Sequence, residues 1–195
     1  MKKVFLLLTI ITSFTLISFS QPELTGAIGL TFGMNKSMVK SVILQKGGTL
    51  FDEKENSVSF SDIPIGSKTS DLMGCQFIHN NLHTICCIFA SPLESQTQDL
   101  YDDLKSILVS KYGNPQKSFR HFTGIYSDGD GYEMQAVRLG YAIISSYWTF
   151  KDNNVIYIEI EAVSGGRMIV KITYQNDKLS IEVENEKSNK NKSEF

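Results

Sequence analysis

Apolar residues recur at two different spacings along this chain of 195 residues. Between residues 36 and 46 they follow the helical period and place one apolar face toward a core. Asn35 before this stretch is a natural N-cap, because its side-chain oxygen can accept from the free N–H groups of the first turn. Gly47 and Gly48 supply a stop. This pattern predicts a first amphipathic helix over residues 36–46.

A second helical pattern has stronger end signals. Ser91 stands as an N-cap, Pro92 follows at the first helical position, and Glu94 completes a capping box. Gly113 then offers the left-handed conformation that ends helices, and Pro115 blocks continuation. We therefore predict a second helix over residues 91–112.

The alternating period of β-strands dominates the later part of the chain. Residues 141–150, 155–163 and 167–174 each alternate between apolar and polar side chains. The turns between them are rich in Asp, Asn, Ser and Gly, which favour tight reversals. These segments predict a three-stranded antiparallel meander with one buried and one wet face.

Shorter β segments are predicted elsewhere. Residues 57–63 alternate like a strand, and residues 74–79 and 82–90 form a hairpin around Asn80-Asn81. Residues 118–126 indicate another strand. Residues 132–139 fit either a strand or a short helix.

These elements predict an α+β fold in which antiparallel sheet meanders pack against two helices. The expected domain covers residues 21–175. It divides into two halves of similar plan, about 34–90 and 91–175, each a helix followed by a meander. Residues 176–195 are polar without an apolar period, and we expect this tail to be disordered.

Residues 1–20 are typical of a secretory signal peptide. Two lysines precede the apolar stretch 4–11, and Ser18 and Ser20 are small residues at the expected positions before cleavage at Gln21. The alternative is an uncleaved membrane anchor. Since no cysteine follows the cleavage position, lipid attachment there is not expected. The sequence predicts an exported protein, periplasmic or extracellular, that is soluble after cleavage and has no transmembrane segment in its mature chain.

The charge balance limits the kinds of partner. Nineteen basic residues oppose 21 acidic ones, for a net charge of −2. Without a basic run the chain has no electrostatic footprint for nucleic acid. We expect no nucleic-acid partner, and another exported or envelope protein as the binding partner.

Three cysteines, Cys75, Cys86 and Cys87, are candidates for a disulfide. A two-residue loop at Asn80-Asn81 would place Cys75 opposite Cys86, and a three-residue loop would place it opposite Cys87. The hypothesis is one structural disulfide, with buried free thiols as the alternative.

Candidate metal and cofactor motifs are incomplete. His79 and His83 flank the hairpin turn, but no second motif completes a zinc site. The Asp-Gly repeat at residues 128–131 lacks the ligand pattern of a calcium loop and fits a tight turn. No cofactor and no metal are expected.

Catalytic motifs are weak as well. His121 has no nucleophile elbow near it in sequence, and Glu159 and Glu161 could be an acid pair or solubility groups on one wet strand face. Tyr157 beside them favours an interaction surface made of Tyr157, Glu159 and Glu161, because aromatic residues are enriched at interfaces.

The segment Gly29-Leu30-Thr31-Phe32-Gly33-Met34-Asn35-Lys36-Ser37-Met38-Val39 resembles the opening of small exported bacterial domains of the SmpA/OmlA and β-lactamase-inhibitor-protein type. Lys111-Tyr112-Gly113-Asn114-Pro115 is similar to helix ends in uncharacterised exported Bacteroidetes proteins. The resemblance implies an α+β fold used for protein–protein contact without catalysis.

The function expected is therefore non-catalytic binding of another exported or envelope protein. The alternative is a small-ligand-binding domain that uses the concave face of its sheet. A secreted hydrolase without a recognisable motif is the third reading.

Overall fold

The two apolar periods of the sequence become separate helices and strands in a computed structural model that describes residues 23–193. The predicted signal peptide, residues 1–20, lies outside the described residues. Within residues 23–193 the helices are α1 (Lys36–Gln45), α2 (Thr97–Tyr112), α3 (Glu133–Arg138) and α4 (Asp177–Ser193). The strands are β1 (Gly26–Ala27), β2 (Leu30–Thr31), β3 (Thr49–Lys54), β4 (Ser57–Ser61), β5 (Ile63–Ile65), β6 (Lys68–Ser70), β7 (Leu72–Ile78), β8 (Asn81–Ala90), β9 (Lys117–Phe122), β10 (Ala142–Thr149), β11 (Val155–Ala162) and β12 (Met168–Gln175).

Eight strands form one antiparallel sheet in the order β3-β4-β7-β8-β12-β11-β10-β9. Four of them follow α1 in the chain, and the other four follow α2. The last strands of the two sets, β8 and β12, pair with each other in the middle of the sheet. The predicted α+β class, with antiparallel meanders packed against helices, is confirmed. The short hairpins β1-β2 and β5-β6 lie outside this sheet.

One face of the sheet carries the hydrophobic core. The strand register places buried side chains in rows, so that Phe60 lies opposite Met73, and Cys87 opposite Ile172. α1 and α2 cover these rows with their own apolar faces. Their buried side chains include Val39, Ile43, Tyr101, Leu104 and Leu108. We call the opposite side of the sheet the open face.

The first helix agrees with its sequence signals. Asn35 caps α1, because its Oδ1 accepts from the backbone N of Met38 at 2.9 Å. The chain then turns at Gly48, where a Cβ would lie 2.2 Å from Cδ1 of Ile63. The turn between α1 and β3 therefore requires a glycine at this position.

The second helix begins later than predicted. Ser91 does not cap it, because its Oγ donates to the carbonyl of Leu93, and a short 3₁₀ turn covers Glu94–Gln96 before α2. The Glu94 carboxylate instead accepts from Arg138 of α3 at 2.7 Å. The predicted capping box is wrong, because Glu94, which would complete it, forms an ion pair with Arg138 instead. The predicted stop at Gly113, with φ 79°, is confirmed.

The β7–β8 hairpin turns one residue earlier than expected. His79 and Asn80 have positive φ angles of 46° and 62° and make the two-residue loop. The register then shifts by one residue, which leaves His83 as the extra residue of a β-bulge. The turn and the bulge together set which side chains face each other along both strands.

The predicted disulfide register is wrong. Cys75 lies opposite Ile85, and Cys86 lies opposite Gly74. Cys75 and Cys86 therefore point to opposite faces of the sheet, and all three thiols are free. Cys75 and Cys87 share the buried face only as diagonal neighbours, whose Cα atoms are typically about 7–8 Å apart and too distant for a relaxed disulfide.

The tail predicted to be disordered forms a helix instead. α4 follows β12 directly, and Asn176 caps it by accepting from the backbone N of Leu179 at 2.9 Å. The buried Asn154 holds the same turn, because its Oδ1 accepts from the backbone N of Asp177 at 2.9 Å. The Asn176 cap is a local signal that the polar composition of the tail concealed, whereas the contact with Asn154 joins residues 23 positions apart and comes from the tertiary structure.

The remaining predicted elements have the expected type. The strand predicted over residues 118–126 is the shorter β9, and the ambiguous residues 132–139 form α3. Strands β10, β11 and β12 form the predicted meander. None of the helices formed by residues 23–193 is long and apolar enough to cross a membrane.

Candidate functional site

The open face carries a row of aromatic side chains on its second half. Tyr147 of β10 lies opposite Tyr157 of β11, and their rings stack with centroids 5.7 Å apart. Phe119 of the edge strand β9 meets the ring of Tyr147 edge-on at 5.8 Å. We call Phe119, Tyr147 and Tyr157 the aromatic row. It makes a continuous apolar strip across three strands.

A charged cluster adjoins this row. The Nζ of Lys171 on β12 lies 2.8 Å from a carboxylate oxygen of Glu159 and also donates to Glu161. Burial raises the pKa of Glu159, and the hydrogen bond from Lys171 offsets part of that rise. Burial lowers the pKa of Lys171, but the hydrogen bonds with both carboxylates outweigh it and hold the pKa above its ordinary value. Two carboxylates thus share one ammonium, which leaves one excess negative charge on a half-buried surface.

This geometry places the predicted residues Tyr157, Glu159 and Glu161 together on the open face. Both glutamates form ion pairs with Lys171. A general acid and base would instead require one carboxyl protonated and facing a substrate site. The arrangement is suited to recognition of charge more than to proton transfer.

The middle of the open face is more buried. Cys86 is half-buried beside Thr173, and burial raises the pKa of its thiol, so that it stays protonated at neutral pH. Thr173 is 2 % exposed, and hydrogen bonds between its hydroxyl and both Cys86 and Tyr157 offset part of the rise that burial gives their pKa values. Burial also raises the pKa of Tyr157.

Helix α4 lies across the β7–β8 part of this face and leaves a hollow of about 290 Å³ beside it, which we call the α4 groove. Ser180 of α4 is 9 % exposed, and its Oγ has no hydrogen-bond partner among the described residues. Polar and charged side chains from the sheet and from α4 line the groove: Gln76, His83, Thr84, Cys86, Tyr157, Lys171, Thr173, Gln175, Ser180 and Glu184.

The structure separates the other candidate residues. His79 lies in the hairpin turn and His83 in the bulge, while His121 lies on β9 opposite Ile143. Within residues 23–193 no group of three or more His, Cys, Asp or Glu side chains is placed to hold a metal ion.

The Asp-Gly segment forms a turn. Asp128 accepts from the guanidinium of Arg120, and this bond holds the pKa of Asp128 below its usual value. The Asp130 carboxylate accepts from the backbone N of Ser127 at 2.8 Å. Both acidic side chains are therefore engaged in the local fold.

Three residues of the site were missed by the sequence reasoning: Phe119, Tyr147 and Lys171. Each lies on the open face of its strand, but burial does not alternate regularly along these three strands, so the sequence offered only a weak signal for them. The pairing of Lys171 opposite Glu159 depends on the β11–β12 register, which places residues ten or more positions apart side by side.

Comparison with known proteins adds no family to this picture. No protein family, no curated protein and no solved structure matches the chain.

Proposed function

We propose that the protein is exported and binds another exported or envelope protein through the second half of the open face, without chemistry of its own. The aromatic row carries this proposal, because aromatic side chains are enriched at protein interfaces and the rim around such a core is polar. Phe119 is 45 % exposed, and Ile143 on the neighbouring strand is 59 % exposed. Apolar groups of this size are costly to leave in water when they lie together.

The charge of the site indicates the chemistry of the partner. Glu159 and Glu161 share the single ammonium of Lys171, so a second cation would be attracted to them. A guanidinium can satisfy a carboxylate with two parallel hydrogen bonds, and arginine is enriched at interfaces. The proposed partner therefore presents an arginine next to an aromatic or aliphatic side chain that packs on the aromatic row.

The proposal is tested by capture from an envelope extract with three surface variants. Phe119→Ser removes apolar contact, Glu161→Lys reverses the charge, and Leu93→Ser removes an exposed apolar side chain outside the site. We expect the protein captured by the wild type to be captured by Leu93→Ser as well. Its Kd, measured with purified partner, should rise at least tenfold for Phe119→Ser and for Glu161→Lys.

Capture that is equal for the wild type and both site variants would overturn the proposed surface. Export is tested separately, by determining the N-terminus of the protein recovered from the producing cells. Cleavage before Gln21 is expected. A mature chain that still begins at Met1 contradicts the cleaved signal peptide.

A further inference from the structure

We propose that the partner adds an extended segment to the outer edge of β9, as a ninth strand antiparallel to it, and that this segment carries an acidic residue. The inference rests on the proposed function, since the segment belongs to the same partner that covers the aromatic row. β9 is the last strand of the eight-stranded sheet and pairs within it on one side only, with β10. The other side of β9 is where a strand can be added.

Every second residue of β9 turns its backbone polar groups away from the sheet. Just past the strand, the backbone N of Thr123 donates to the carbonyl of Tyr141 at 2.8 Å. Hydrogen-bonded pairs alternate along antiparallel strands, so the odd-numbered residues of β9 bond to β10, and Ser118, Arg120 and Phe122 point their N–H and C=O groups outward. Within the part of the chain that the structure describes, no other backbone segment bonds to these outward groups.

The opposite edge of the sheet is protected against such pairing. The register of β3 with β4 shifts between Leu50 and Asp52, and an irregularity of this kind disrupts an edge. The Nζ of Lys36 also donates to the carbonyls of Lys54 and Glu55, at 2.6 and 2.7 Å. By contrast, β9 keeps one register with β10 over all 6 of its residues, so a regular strand can pair along its whole length.

The charges beside β9 define the chemistry of the segment. Lys117 is exposed on the open face, and on the helix side the Nζ of Lys105 donates to Oγ of Ser118 at 3.3 Å. The guanidinium of Arg120 is already paired with the carboxylate of Asp128. Two ammonium groups therefore lie at the beginning of β9, one on each side of the sheet. An acidic side chain opposite Lys117 makes a favourable cross-strand pair there.

The exposed end of the aromatic row adds an apolar requirement. Phe119 is 45 % exposed and lies two residues after Lys117, on the same face of β9. In an antiparallel segment, the residue opposite Phe119 comes two positions before the residue opposite Lys117. An aromatic or aliphatic side chain at that position packs on Phe119. The segment therefore carries an apolar residue two positions before its acidic residue.

The probe is a blocked synthetic peptide, Thr-Val-Thr-Phe-Thr-Glu-Thr, titrated into the isotope-labelled protein and followed by amide chemical shifts. We expect the amides of Ser118, Arg120 and Phe122 to shift more than those of the odd-numbered residues of β9, because only the outward N–H groups gain a hydrogen bond. A peptide with lysine in place of the glutamate is the charge control. Its Kd should be about fivefold higher, because like charges then lie opposite each other.

The variant Ser118→Pro removes one outward N–H, and an edge strand tolerates proline at such a position. Ser118→Ala is the matched control, since it loses the same hydroxyl and keeps the N–H. The Kd of the glutamate peptide should rise at least tenfold in Ser118→Pro and stay near the wild-type value in Ser118→Ala. Absence of binding at millimolar peptide, equal shifts of even-numbered and odd-numbered amides, or equal binding by both variants would overturn strand addition. If Ser118→Pro does not fold, the shift pattern of the wild type decides.

Failure of this inference differs from failure of the proposed function. A captured partner that loses affinity in Glu161→Lys, but binds Ser118→Pro and Ser118→Ala equally, uses the open face without strand addition. That result would overturn the ninth strand alone. A partner that loses affinity in Ser118→Pro but is unaffected by Glu161→Lys would support the edge and overturn the charge recognition proposed for the open face.

Discussion

Cys75 on β7 lies directly opposite Ile85 on β8, and not opposite either of the later cysteines. The early turn at His79-Asn80 and the extra residue His83 set this register. Cys75 is consequently buried in the core, while Cys86 faces the other side of the sheet. The two thiols are neighbours in the hairpin but cannot reach each other.

All three cysteines should therefore be recovered as thiols when the protein is unfolded without reductant. Mass spectrometry after alkylation checks this, and recovery of a single alkylated thiol would contradict the register. In the folded protein Cys86 should react first, because it is only half-buried. Burial raises the pKa of Cys75 to about 12, and complete burial also raises the pKa of Cys87 well above its ordinary value, so both should react only as the protein opens.

The variant Cys86→Ser gives the control for this experiment. It should remove the fast phase of alkylation and leave the slow phase unchanged. A fast phase that persists would mean that Cys75 or Cys87 is more accessible than the sheet allows.

Removing the ammonium of Lys171 should destabilise the fold at neutral pH. Lys171→Met leaves Glu159 and Glu161 half-buried without a cation, and we expect a loss of about 1–2 kcal/mol in the free energy of unfolding. Lys68→Met is the control, since Lys68 pairs with the exposed Asp103, and such a pair contributes at most about 1 kcal/mol. Urea unfolding measures both.

The loss in Lys171→Met should shrink as the pH falls. Burial already raises the pKa of Glu159, and without the ammonium it rises further. A carboxyl whose pKa is higher in the folded than in the unfolded chain makes the folded state bind more protons. The stability of the variant therefore increases as the pH falls through the folded-state pKa of Glu159. That pKa lies above the ordinary value for a glutamate. A deficit that is equal at neutral and mildly acid pH would contradict this account.

Replacing Asn154 should weaken the attachment of both Leu24 and the start of α4 to the rest of the fold. Its Nδ2 donates to the carbonyl of Leu24 at 2.8 Å, and its Oδ1 accepts from the backbone N of Asp177 at 2.9 Å. Asn154→Ala leaves the buried carbonyl of Leu24 and the half-buried N–H of Asp177 without this partner, and we expect a loss of about 2–3 kcal/mol. Limited proteolysis should then cut faster within α4.

Asn153→Ala is the neighbouring control for this variant, with one difference. Asn153 is exposed, but it has a φ of 59°, which alanine tolerates less well than asparagine. Its loss in stability should therefore be smaller, and cleavage of α4 should not accelerate. Equal cleavage in both variants would show that Asn154 does not anchor α4.

The elements predicted best are those whose signals are local. Asn35 caps α1 through an atom three residues away, and buried and half-buried side chains alternate along β11. The capping box at Ser91 failed because Glu94 has a stronger partner in Arg138, 44 residues later. A local signal is reliable only while no distant side chain competes for the same atoms.

The sequence by itself determined the class of the fold, the two helix-plus-meander halves and the wet face of β11, because helix caps and strand alternation depend on near neighbours. Only the tertiary structure decided the cysteine register, the anchoring of α4 by Asn154 and the sharing of Lys171 between two glutamates. Each of these depends on one bulge, one turn or one buried amide that sets the position of distant residues. A shift of one residue in a hairpin moves every later side chain to the other face, and no local pattern records that shift.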